Sequence, residues 1–265
     1  MAAPGGVSTR GGARASLIDG LAVRPRRRAV AIGTFDGVHL GHTRVIAGCD
    51  TVLTFDPHPR SVLAPGRVPR LLTDAAGKHR RIAALGVREI VVIAFNREWA
   101  ALDVATFVDE LIVRRLGAFS VSVGADFRFG ERAVGDAGAL AQDPRFVTTV
   151  VPMATLDGDV ISSSRIRDLL SAGDVEGAAR LLGRPHTLPA HPLPAHALPA
   201  RAVTARAAPN GGMRIDPALA IPRPGRYAVT VDGVTADATV SGNGVIELGR
   251  RPSASSAEVS FLSRI

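Results

Sequence analysis

AVAIGTFDGVHLGH, residues 29–42, decides how this chain is read. Its first half is a short run of β-branched and small apolar residues, the pattern of a strand buried on both faces. The run passes directly into a glycine-punctuated loop, GTFDGVHLGH (33–42), which opens into the helix-like HTRVIAG. A loop that leaves the carboxyl end of a parallel strand and feeds a helix is where doubly wound sheets bind ligands, because unpaired N–H groups and the helix dipole point at an anion there. Gly33, Gly37 and Gly41 let a phosphate approach the main chain closely, and His39 and His42, three residues apart, can converge on one point. Taken alone, His-x-Gly-His is equally the wording of surface or capping histidines; the buried strand before it favours the phosphate reading.

The same texture repeats outward from this loop. TVLTF (51–55), EIVVIAF (89–95), FSVSVGADF (119–127) and FVTTVVPM (146–153) read as strands, with helices over 73–85 and 103–116 between them. The second helix has Asp103 as N-cap, Val104, Phe107, Val108, Leu111 and Ile112 at helical spacing, and Gly117 as its stop. SSRIRDLLSAG (163–173) and DVEGAARLLG (174–183) add two more helices. This alternation predicts an α/β fold, a doubly wound Rossmann-like parallel sheet over 29–186, with residues 1–28 as a partly irregular extension. Beyond Arg184 repeated prolines oppose helix and central strand alike, so 187–212 reads as a Pro/Ala-rich linker. The remainder, 213–265, alternates apolar and polar residues around the turn signals Asp232-Gly233 and Gly242-Asn243-Gly244, and predicts a small antiparallel β module.

Composition sets limits on function. The chain has 265 residues, 46% hydrophobic and 21% charged, which excludes disorder, collagen and coiled coil as whole-chain descriptions. Cys49 is the single cysteine and closes no internal disulfide, so a reducing cytoplasm is expected. No stretch approaches the roughly 20 apolar residues of a membrane span. The formal charge is +8, yet Lys78 is the only lysine and the densest basic run is Arg26-Arg27-Arg28. Without a basic block, neither a nucleic-acid nor a membrane partner is expected.

Three further motifs carry chemistry. In ISSSRIR (161–167) serines stand at a helix start while Arg165 and Arg167 supply guanidinium forks suited to phosphate; an ordinary serine cap with solvated arginines is the alternative. TFDPHPRSVL (54–63) and VGADFRFGERAVGD (123–136) follow strands whose ends fall on the same rim as the histidine loop. Phe55, Phe127 and Phe129 can stack on a flat heteroaromatic ring and Asp126 can accept hydrogen bonds from its edge. A proline turn and core phenylalanines beneath a loop are the alternatives.

Together these motifs resemble one family. GTFDGVHLGH is similar to the nucleotide signature of the nucleotidylyltransferase superfamily, and its Phe-Asp-Gly-Val-His wording to the bacterial FAD synthetase branch, over about residues 29–186. The resemblance implies that His39 and His42 contact nucleotide phosphates, with Gly33, Thr34, Phe35, Asp36 and Gly41 lining the ATP site. It puts Ser162, Ser163 and Ser164 on the triphosphate, Ser164 standing where threonine is usual, with Arg165 as main ligand and Arg167 beside it. It gives the isoalloxazine pocket to Phe55, Pro57, His58, Pro59, Asp126, Phe127 and Phe129. The implied reaction is AMP transfer from ATP, accompanied by Mg2+, to FMN, giving FAD and pyrophosphate, with His39, His42 and Arg165 as the catalytic set. A different phosphorylated acceptor, or flavin binding without turnover, are the competing readings.

Two departures stand out. Phe55 follows His42 by only 13 positions, fewer than is usual in this family, and the crossover from Phe35 to Thr51 holds 15 residues, enough for a short helix at 42–48. PRPGRYAVTVDG (222–233) and LGRRPSASSAEVSFL (248–262) resemble pieces of the riboflavin kinase barrel that the bacterial family appends. The hallmark Gly-x-Pro-Thr-Ala-Asn is absent and the chain stops soon after Glu258, so a degenerate, truncated remnant without riboflavin phosphorylation is expected.

Overall fold

The buried apolar runs line up as one sheet. The computed structural model describes residues 5–8, 14–20, 22–192, 212–242, 244–249 and 256–265. Its chain divides into two units, Met1–Pro69 with Ala75–Val160 and Arg70–Asp74 with Ile161–Ile265. The first unit begins with β1 (Gly5–Ser8), β2 (Arg14–Asp19) and β3 (Arg28–Ile32), followed by α1 (Leu40–Ile46), β4 (Thr51–Asp56) and α2 (Pro59–Leu63). Next come α3 (Ala75–Ala83), β5 (Glu89–Ala94), α4 (Arg97–Ala100), α5 (Val104–Thr106) and β6 (Ala118–Gly124). A two-stranded ribbon of β7 (Arg128–Phe129) and β8 (Gly135–Asp136) leads to α6 (Ala137–Ala141) and β9 (Val147–Val151), and the small hairpin of β10 (Thr155–Leu156) and β11 (Asp159–Val160) ends the unit.

The main sheet has the order β1-β2-β5-β4-β3-β6-β9, and only β1 runs antiparallel to its neighbour. Alternate residues of its central strands enter two separate cores, as a pleat of period two requires. Val30, Ile32, Leu53, Val91, Ile93, Val121 and Val123 pack with Phe107, Leu111 and Ile112. Ala31, Val52 and Ile90 pack with Phe35, Val38, Val45, Ile46 and Ile82. Cover on both faces is why these strands read as continuous apolar runs rather than alternating ones. The helix expected over 103–116 is capped by Asp103 and continues from α5 into a π-helix, Phe107–Arg115. Gly117 then turns at φ +62, and a Cβ there would lie 2.4 Å from the Arg26 carbonyl oxygen, so only glycine fits.

The amino-terminal region, expected as a partly irregular extension, contributes two strands to the main sheet. Arg14–Asp19 is a parallel strand registered on β5, from Ser16 opposite Glu89 to Asp19 opposite Val92. A short run beside arginines carries little pattern of its own; its strand state is conferred by pairing with β5.

At the amino-terminal ends of these strands lies a charge network. Arg28, 2% exposed, donates to Glu89 Oε2 at 2.8 Å and to the carbonyls of Leu116 at 2.7 Å and Arg24 at 2.9 Å. Arg26 also pairs with Glu89, at 2.9 Å. Burial alone would raise the Glu89 carboxyl, but the hydrogen bonds from Arg26 and Arg28 overcome it and hold it below its ordinary value.

In the second unit α7 (Ser163–Ala172) and α8 (Val175–Leu182) precede six strands: β12 (His186–Pro192), β13 (Gly212–Arg214), β14 (Gly225–Val231), β15 (Val234–Val240), β16 (Val245–Leu248) and β17 (Ala257–Arg264). They close into an antiparallel barrel in the order β12-β13-β16-β15-β14-β17 around Leu188, Tyr227, Val229, Val240, Ile246, Val259 and Phe261. One reading is corrected here: residues 187–192, taken for linker, belong to a barrel strand, while the expected antiparallel β module is present as a closed barrel. Pro189 is tolerated because Thr187–Ala190 pair with β17 alone among the described residues, an edge-like situation in which a missing N–H costs little. The rest of the linker reading, 193–211, lies outside the described residues, as does Asn243 of the second turn signal. Asp232-Gly233 turns with φ of 51 and 84, joining β14 to β15 as expected. No helix among the described residues is long and apolar enough to cross a membrane.

Removing one partner of a buried charge pair is costly, so Arg28→Met is expected to lower unfolding free energy by about 3 kcal/mol in urea titration. The contribution of Glu89, whose folded value is depressed, is complete above its ordinary value of 4.5 and is lost as pH falls through the folded one. The stability gap between the parent and Glu89→Gln should therefore close on acidification from pH 6 towards pH 3.

Candidate functional site

The histidine loop is tied to the sheet before it turns. Gly33 N–H donates to the Leu53 carbonyl at 3.1 Å, and Thr54 Oγ1 donates to the Thr34 carbonyl at 3.1 Å. Phe35, Gly37 and Val38 then adopt φ of 50, 85 and 43, a left-handed backbone that a bulky or β-branched residue adopts at a cost of about 1–3 kcal/mol. What holds them is packing: Phe35, 1% exposed, and Val38 are buried with Val45, Ile46 and Val52. Asp36 between them is also buried.

The turn delivers His39 as the N-cap of α1. His39 Nδ1 accepts from the His42 N–H at 3.2 Å, and His42 Nδ1 accepts from the His39 N–H at 3.4 Å, a reciprocal capping box made of two imidazoles. The rings stack with centroids 3.5 Å apart, and Phe35 meets His42 edge-on at 5.3 Å. An Nδ1 that accepts a main-chain hydrogen bond carries no proton, so in the neutral rings the proton sits on Nε2, and each imidazole is a donor at that atom. Capping and phosphate binding, alternatives in the sequence, are thus compatible uses of different nitrogens.

The loops after β4 and β6 leave the carboxyl ends of strands adjacent to β3. His58 caps α2, accepting from Arg60 N–H at 3.2 Å, with exposed Pro57 before it and Pro59 as first helical residue. Asp126 is exposed and Phe127 half-buried. The stacking expected of Phe55 and Phe129 is corrected: both rings are core. Phe55 packs edge-on against Phe95 at 5.7 Å, and Phe129 lies 5.0 Å from Phe107 and 5.6 Å from Phe127. Phe55 follows Leu53 into the same core by the period-two pleat of β4, and Phe129 joins that core from the short β7 ribbon, which overrides any aromatic slot for either ring. Of the residues expected around a flat ring, Asp126 and Pro57 are exposed and Phe127, His58 and Pro59 are half-buried.

In the second unit Ser162 is the N-cap of α7, its Oγ accepting from the Arg165 N–H at 3.2 Å, and Ser163 and Ser164 open the helix. Arg167 donates through Nε to the Arg70 carbonyl at 2.7 Å, which commits that atom to the main chain. Arg165 is the half-exposed guanidinium of the motif's first turn.

Lys78 is a buried cation beside these loops that the sequence reading did not single out as a site candidate. It lies on α3, is 8% exposed, and its Nζ donates to the Phe55 carbonyl at 2.9 Å. The available signal was an only lysine one helical turn before the apolar Ile82, which puts it on the buried face.

Comparison with known proteins bears on the family of the chain. A family model described as FAD synthetase matches residues 22–165. A bifunctional riboflavin kinase/FMN adenylyltransferase of Listeria monocytogenes is 36% identical over 215 residues, covering 76% of this chain and 67% of the relative. The Bacillus subtilis protein of the same description is 32% identical over 85% of this chain and 73% of its own length, and that of Escherichia coli K12 is 32% identical over 64% and 59%. A solved chain from Streptococcus pneumoniae described as a macrolide-efflux protein superposes with a TM-score of 0.78 over 94% of this chain and 90% of its own; at 22% identity it speaks to fold alone.

The capping role of His39 can be measured by itself. His39→Ala should cost about 1 kcal/mol through the lost cap, whereas His39→Asn, which restores a capping oxygen, should stay within about 0.5 kcal/mol of the parent in denaturant titration.

Proposed function

Because the chain belongs to the FAD synthetase family, we propose that it transfers AMP from ATP to FMN, forming FAD and releasing pyrophosphate. A phosphate oxygen of FMN attacks the α-phosphorus of ATP; that P–O bond forms as the bond to the bridging oxygen of the β-phosphate breaks, and pyrophosphate carries the electron pair away. Such chemistry asks the protein for alignment and charge compensation rather than for a covalent intermediate. The observation that carries the reading is the reciprocal imidazole cap at the carboxyl end of β3, which fixes two Nε2–H donors on neighbouring residues.

His39 and His42 are assigned to the phosphates whose charge grows as pyrophosphate leaves, and the loop of Gly33, Thr34, Phe35, Asp36 and Gly41 to the nucleotide. Ser162, Ser163, Ser164 and Arg165 are assigned to the triphosphate on the strength of their motif, with Arg165 as principal ligand; Arg167, engaged by a main-chain carbonyl, takes a supporting part. Phe127, Asp126 and the Pro57-His58-Pro59 turn are assigned to the flavin ring. Magnesium, when bound, neutralises part of the triphosphate charge. Among the described residues no three His, Cys, Asp or Glu side chains gather to hold an ion, so the cation is assigned to the nucleotide and no step is routed through it.

Riboflavin phosphorylation is not part of the proposal. The barrel is present, but the sequence has no Gly-x-Pro-Thr-Ala-Asn segment to supply hydroxyl and amide ligands for a second nucleotide. The lone, half-buried Cys49 fits a cytoplasmic setting.

The protein incubated with FMN, ATP and Mg2+ should release pyrophosphate and form FAD, while riboflavin with ATP should yield no FMN. His39→Asn should keep the fold and lose at least 100-fold in kcat/KM, about 2.7 kcal/mol of transition-state stabilisation. Rates within a few-fold of the parent for His39→Asn and Arg165→Ala would refute the assigned roles. Tight FMN binding without pyrophosphate release would instead identify a flavin-binding protein without turnover.

A further inference from the structure

A buried ammonium is expensive, because taking the charge out of water costs several kcal/mol that nearby groups must repay. An apolar side chain at position 78 would pack α3 against the sheet without that cost, alongside Ile82 and Ala83. The chain uses lysine nowhere else. What repays the cost at Lys78 is specific: a 2.9 Å bond from Nζ to the Phe55 carbonyl, and electrostatic attraction to Asp56 and Asp36. Burial still pushes the ammonium below its ordinary value despite these two carboxylates.

The identity of these partners matters more than their number. Phe55 and Asp56 end β4 and begin the Asp-Pro-His-Pro turn, whereas Asp36, 4% exposed, lies inside the strained part of the histidine loop. Lys78 comes from a third element, α3, so a single buried ammonium is hydrogen-bonded to the end of β4 and attracted electrostatically to Asp36 of the histidine loop. Resting on the reading given under Proposed function, we propose that Lys78 is a positioning residue for nucleotidyl transfer, its ammonium fixing the histidine loop and the Asp-Pro-His-Pro turn in register with one another. Phosphates bound by the first loop and a ring bound by the second then meet at a set distance, and the positive charge facing Asp36 keeps that carboxylate from opposing a polyanionic ligand.

The test is made on the full chain with Lys78→Met, Lys78→Gln and Lys78→Arg. Folded fraction and melting are measured first, then kcat and the KM for ATP and FMN per folded protein, then amide hydrogen exchange over 33–42 and 56–63. The expected result is a kcat at least tenfold lower and a KM for ATP at least fivefold higher in Lys78→Met, with Lys78→Arg returning that KM to within threefold of the parent. Exchange should rise in both loops together while α3 stays protected. Where the methionine variant does not fold, Lys78→Gln, which keeps a donor for the Phe55 carbonyl, is read by the same criteria. Kinetics within twofold of the parent in a folded variant that merely melts earlier would reduce Lys78 to a structural residue and overturn the proposal. A parent enzyme that forms no FAD would sink the functional reading alone; the exchange measurement then judges Lys78, and unchanged protection in both loops overturns it.

Discussion

The molecule's candidate chemistry depends on a stretch of backbone that would not hold its shape in isolation. Phe35, Gly37 and Val38 lie in left-handed conformations within four residues, and two of the three carry side chains that disfavour it. The conformation persists because Phe35 and Val38 are driven into the core beneath the sheet, so the apolar burial that stabilises the fold also sets the strained turn. The histidines at the rim inherit their position from this anchoring. His39 starts α1 where it does because the chain has already been turned, and the short crossover can reach Thr51 because the turn consumes so few residues.

A second theme is that helix capping falls on the very residues to which ligand chemistry is assigned in the proposal, and the two uses need not compete. The imidazoles of His39 and His42 satisfy each other's main-chain donors through Nδ1 and keep Nε2 as a donor, so the hydrogen bonds that start the helix also select the tautomer. Ser162 caps α7 in the ordinary way, and the same geometry presents the first turn that carries Arg165. At such positions a bland structural role and a functional one describe the same side chain.

The second unit makes a complementary point about fold and activity. Six strands close a barrel without the nucleotide segment that the resemblance associates with kinase chemistry. Barrel closure depends on alternating apolar residues such as Tyr227, Val229, Ile246 and Phe261, whereas catalysis depends on a few loop residues that contribute little to packing. The two requirements are separable, and here the packing requirement is met.

Much of this architecture was legible in the sequence. The strands 29–35, 51–55, 89–95, 119–127 and 146–153, the caps Asp103 and Ser162, the stop at Gly117 and the Asp232-Gly233 turn follow from local periodicity and from backbone preferences that need no partner. Other features needed the folded chain. Arg14–Asp19 and His186–Pro192 become strands only because β5 and β17 offer edges to pair with. Phe55 and Phe129, aromatic residues in ligand-like motifs, turn into the core, and a motif does not reveal whether its rings face a ligand or the core. Lys78 shows the limit most plainly: the sequence identified a lone lysine on a helix, but its partners lie 23, 42 and 22 positions away at Phe55, Asp36 and Asp56, and only tertiary structure brings groups so separated within reach of one amine. The sequence determines which segments can pair, cap and turn, since those choices are made among near neighbours; the side of the sheet on which a ring or a charge ends is decided by long-range packing.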